Sequence, residues 1–84
     1  MRIRIRVEGK VDVSSIKDLF ESLNITTMNV TKSERLKEIK EIVDIVNNIR
    51  KEIEEKIGKR IVIKELILKK DGLYILNGDI DQES

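Results

Sequence analysis

The sequence predicts an α+β fold: two layers, a small antiparallel or mixed sheet with two helices on one face, in the order β-α-(β)-α-β-β, ending in a C-terminal β-hairpin. Three observations carry this reading. Residues 2–8 alternate strictly between apolar and charged side chains. Two later segments place apolar residues at helical spacing, and the second ends at Gly58. Two apolar runs, 60–68 and 73–76, flank Asp71-Gly72. At 84 residues the chain is one small domain, 1–84, with 81–84 expected as a frayed tail.

Arg2-Ile3-Arg4-Ile5-Arg6-Val7-Glu8 reads as a half-buried strand, with Ile3, Ile5 and Val7 inward and the arginines outward. Gly9-Lys10 breaks it, and Val11 and Val13 keep its parity. Ser15-Ile16-Lys17-Asp18 matches a capping box, with Ser15 as N-cap. Ile16, Leu19, Phe20 and Leu23 then form a narrow helical stripe, and Asn24 is a left-handed stop, which predicts a helix over 15–23. Residues 25–30 read equally as a short strand or an ordered loop, since Thr26, Thr27 and Val30 favour an extended chain.

A second capping box follows at Thr31-Lys32-Ser33-Glu34, with Ser33 as the rival cap. From there one long helix is expected to run to Ile57. Its apolar residues, among them Leu36, Ile39, Ile42, Val43, Val46 and Ile57, spread over nearly half the circumference at about 100° per residue. Such a stripe is wider than one contact needs. The opposite face pairs Lys37 with Glu41, Lys40 with Asp44 and Glu52 with Lys56, each contact contributing a few tenths of a kcal/mol. Asn47-Asn48 is unusual in a helix and is placed toward solvent. Gly58 is the C-terminal stop, with Lys59 and Arg60 beside the negative helix end.

In the hairpin, strict alternation puts Ile61, Ile63 and Ile67 on one face and Val62, Leu66 and Leu68 on the other. The return strand, Leu73-Tyr74-Ile75-Leu76, is also apolar on both sides. A sheet with one wet face needs only alternation, so the surplus asks for a second cover. Asp71-Gly72 fits a two-residue turn or a three-residue loop with Gly72 left-handed. The two options differ by one residue in register and leave the buried parity open.

Composition narrows the function classes. There is no Cys and no His, which leaves out disulfides, thiol chemistry, zinc fingers and imidazole catalysis. A domain of this size is marginal and commonly relies on a staple, and oligomerisation is the one that remains. Charged residues make up 39% and balance to a net charge of +1, so no global signature for nucleic acid or membrane exists. The abundance of Lys, Glu and Ile without Ala or Pro has a thermophile-like character. It equally fits an AT-rich coding sequence, and a computational design is the alternative origin. The opening residues alternate rather than form an apolar stretch, so no signal peptide is read and the cytoplasm is the expected compartment. No stretch is long enough to suggest a membrane helix.

No motif carries chemistry. The serines have no His base and no nucleophile elbow, and Ser15 and Ser33 are explained by capping. Asp79, Asp81 and Glu83 alternate near the C-terminus and read as solvated charge rather than a cation site. The expectation is therefore not an enzyme, with no catalytic residue, no metal and no cofactor. The helix–Gly58–strand cadence of residues 53–63 is similar to the second half of a KH domain. KH domains clamp nucleic acid with a GXXG loop, and no glycine lies between Gly9 and Gly58 to form one.

The leading expectation is a non-catalytic protein-interaction or oligomerisation module. It forms a homodimer, or docks another protein, through Val62, Leu66, Leu68, Leu73 and Ile75 together with the wide stripe of the long helix. Four Leu, Ile or Val side chains at roughly 1.5–3 kcal/mol each would drive association. The alternative is a nucleic-acid-binding module in which Arg2, Arg4, Arg6, Arg60 and Lys64 track phosphates on a basic sheet face. It lacks aromatic platforms, since Phe20 and Tyr74 are the only aromatic residues.

Overall fold

Four strands form one antiparallel sheet in the spatial order β1-β4-β3-β2. The computed structural model describes residues 2–81. Strand β1 (Arg2–Lys10) is followed by a 3₁₀ turn (Ser14–Ile16), α1 (Lys17–Leu23), β2 (Thr27–Asn29), α2 (Glu34–Lys37), α3 (Lys40–Ile57), β3 (Arg60–Lys69) and β4 (Leu73–Asp81). The α+β class and the C-terminal hairpin follow the sequence reading, and the sheet is antiparallel rather than mixed. The ambiguous segment at 25–30 contributes the short edge strand β2.

One hydrophobic cluster joins the layers. Ile42, Ile45, Ile49 and Ile53 form the buried line of α3, and Ile16 and Phe20 come from the first helical segment. They lie over Ile61, Leu66, Leu68, Tyr74 and Leu76 on one face of the sheet. Burial removes these side chains from water at about 25 cal/mol per Å² and supplies most of what holds a chain without disulfides.

Several local expectations are met and three are corrected. Asn24 adopts φ 54° and ends α1, and Gly58 adopts φ 68° and ends α3. Gly72 takes φ 95°, and its N–H donates to the Lys69 carbonyl at 2.9 Å, so Lys70-Asp71-Gly72 is the three-residue loop. The first correction concerns Ser15, which caps nothing. The 3₁₀ turn begins earlier, and the Asp12 carboxylate accepts the Ser14 N–H at 2.9 Å. That bond, helped by the Ser14 hydroxyl, holds the Asp12 carboxyl below its ordinary value.

The second correction divides the long helix. Ser33 does cap, accepting the Leu36 N–H at 3.4 Å, but α2 stops at Lys37. Ile39 is extended at φ −72°, ψ 120° and starts α3 afresh. The interruption lets both Leu36 and Ile39 pack against the core. The third concerns the tail. Asp81 is paired in β4, opposite Arg60 and Arg2, and the remainder, 82–84, lies outside the described residues together with Glu83.

Candidate protein-interaction surface

A bulge in β3 decides which side chains reach the surface. Ile63 pairs with Gly78 and the next pair is Glu65 with Asn77, so Lys64 is an extra residue. Two residues opposite one reset the side-chain parity. Ile61 and Ile63 before the bulge share the helix side with Leu66 and Leu68 after it. Val62 shares the helix-free side with Glu65, Ile67 and Lys69. The strict alternation expected through 60–68 is thereby corrected. Leu66 and Leu68 have 0% exposure and belong to the core, and Ile67 takes their place on the open face.

Gly78 permits this geometry. A Cβ built at Gly78 would run into the Val62 carbonyl oxygen. The sequence held the signal. A glycine inside a strand marks a bulge or a close backbone approach, and Lys64-Glu65 interrupts the apolar run at the same place.

The register assembles the helix-free face in rows. Arg4, Asp79 and Val62 form one, and Arg6, Asn77 and Glu65 the next. Glu8, Ile75, Ile67 and Asn29 form the third. Leu73 lies beyond it, opposite Lys10. Leu73 is 44% exposed, and Val62, Ile67 and Ile75 are half-buried with no helix above them. Of the five residues expected at an interface, Val62, Leu73 and Ile75 therefore share this face.

The charges around the apolar centre are largely matched. Arg6 bridges Glu8 at 3.5 Å. The Lys64 ammonium lies 4.0 Å from Asp79, whose side chain is only 17% exposed. Asn29 donates to Glu65 at 3.3 Å and accepts the Thr31 hydroxyl and N–H at 2.6 and 3.1 Å. The Thr31 hydroxyl in turn accepts the Leu66 N–H at 3.3 Å, which ties β2 to β3 just past the bulge. The expected basic stripe is interrupted by β4, because the register sets Asp79 opposite Arg4 and Asp81 between Arg2 and Arg60.

The surplus of the helical stripe is also located. Val43 and Val46 of α3 line an apolar groove of about 270 Å³ with Ile63 on its floor and Lys37 and Arg50 at its rim. Among the described residues, no group of three or more acidic side chains is placed to hold a metal ion, and no helix is long and apolar enough to cross a membrane.

Compared with known proteins, the chain matches no family model, no curated protein and no solved structure.

Proposed function

We propose that this chain is a non-catalytic protein-interaction module that docks through the helix-free face of its sheet, first of all onto a second copy of itself. One observation supports the reading most. Ile67, Ile75 and, one row on, Leu73 gather on a face that no helix covers, with Val62 on the same face beyond the Arg6–Asn77–Glu65 row. Full burial of an exposed side chain of this size contributes roughly 1.5–3 kcal/mol, and Val62, Ile67 and Ile75, already half-buried, would each add less than that. Association costs about 4–15 kcal/mol in lost freedom, so the contact is expected to be weak. The nucleic-acid alternative draws less support, because acidic residues of β4 stand among the arginines it needs.

Sedimentation velocity across a concentration series tests the reading. Leu73→Glu with Ile75→Lys should remove the association made through this face, read as a lower weight-average mass at a given concentration, with unchanged circular dichroism. Each new charge faces an opposite one within the chain, at Lys10 and Glu8 respectively. A wild-type protein that stays monomeric at high micromolar concentration rules out self-docking.

A further inference from the structure

The two edges of the sheet are unlike. On one side, β2 is three residues long and covers only the Ile67–Lys69 end of β3. Farther along β3, two side chains of α3 occupy the edge. Glu54 accepts the Ile61 N–H at 2.8 Å and Arg50 donates to the Ile61 carbonyl at 2.9 Å. That edge is guarded. On the other side lies β1, nine residues long, and among the described residues no strand lies beyond it.

The direction of its free groups follows from one bond. The Val11 N–H donates to the Gly72 carbonyl at 2.8 Å, continuing the β1–β4 register. Odd residues of β1 therefore bond to β4, and the N–H and C=O groups of Arg4, Arg6 and Glu8 point away from the sheet.

We propose that β1 pairs antiparallel with β1 of a second copy, giving a two-fold dimer with one continuous eight-stranded sheet. Three features support a second copy as the occupant. Charge is the first. Arg4 stands opposite Asp79 in the register and Arg6 is bridged to Glu8 at 3.5 Å, which sets acidic groups among the arginines. With Arg6 on the two-fold axis, Arg4 faces Glu8 and Ile5 faces Val7, each pair occurring twice, while Arg6 meets its own copy beside the Glu8 bridge and Arg2 meets Lys10 at the strand ends. The second is apolar cover. Ile3 is 45% exposed, and Ile57 is 40% exposed beside a groove between β1 and the end of α3, so an added strand shields both. The third is closure. Pairing uses the one long open edge of each copy and leaves two guarded edges, so assembly stops at two.

This contact goes beyond the face-docking reading and does not rest on it. Hydrogen exchange at single-residue resolution separates them, because edge pairing protects the outward amides of Arg4, Arg6 and Glu8 and face docking does not. Their exchange in the wild type should slow at least about tenfold between low and high micromolar protein. Arg6→Pro removes only an outward N–H, so it should keep the fold and lose the effect. Ile3→Lys, which leaves every backbone group intact, should weaken it as well. Leu73→Glu with Ile75→Lys should keep it. Concentration-independent exchange of those amides overturns the proposal, as does protection that survives Arg6→Pro. Protection conferred only by an added alternating Asp-Val peptide likewise overturns the assignment to a second copy.

Discussion

The carboxylate of Glu54 accepts the backbone N–H of Ile61 at 2.8 Å, linking the last turns of α3 to the first residues of the strand that follows it. Lost partners for half-buried backbone groups cost about 1–3 kcal/mol. Glu54→Ala should therefore lower the unfolding free energy by about that amount in urea titration, and Glu54→Gln, which keeps an acceptor, by less. Glu54 belongs to the charged run Glu52-Ile53-Glu54-Glu55, in which nothing in the sequence singles it out. Its role depends on the sharp reversal at Gly58, which brings residues seven apart face to face.

Gly78 is the residue on which the bulge depends. Gly78→Ala drives a methyl group into the Val62 carbonyl. Overpacking of this kind costs about 1–3 kcal/mol. The expected outcome is a lower urea midpoint together with faster amide exchange in residues 62–66, which report the local disturbance.

The two leucines that flank the hairpin loop should behave oppositely. Leu68→Lys buries an ammonium at a site with 0% exposure and no acidic partner. It should abolish the cooperative thermal transition followed by circular dichroism. Leu73→Glu, on the open face, should stay within about 0.5 kcal/mol of wild type.

The single tyrosine offers a clean titration, since the chain has no tryptophan. Burial raises Tyr74 above its ordinary value of 10.0, and the negative charge of Glu52 adds to the effect. The folded state thus prefers the neutral phenol. The associated stability is fully present below the unfolded value and is lost as pH rises through the folded one. Absorbance of the phenolate should show a midpoint above 10.0, Glu52→Gln should bring it part of the way back, and the share of stability tied to Tyr74 should fall on the alkaline side.

What the sequence makes legible here is local. Alternation in residues 2–8, the left-handed stops at Asn24 and Gly58, and the loop at Gly72 each depend on a few neighbours, and each is found. The parity of β3 is different in kind. It depends on Gly78 tolerating the approach of Val62, a contact between two strands that no periodicity within either one encodes. For the same reason the interface set was split, with Leu66 and Leu68 going to the core. The interruption at residues 38–39 has no glycine or proline to announce it, and only the pull of Leu36 and Ile39 toward the core accounts for it. Asp12 displaced Ser15 because the turn starts earlier than the apolar stripe does.

Of the four strands β1 is made first, and β4, with which it pairs among the described residues, is made last. The intervening chain holds all three helices and both other strands. During synthesis at about 5–20 residues per second, the arginine-bearing segment therefore waits with both of its sides unpaired until the hairpin has emerged. The sheet cannot close before residues 73–81 have been made. Charged side chains at every second position of β1 disfavour stray strand pairing of such a segment.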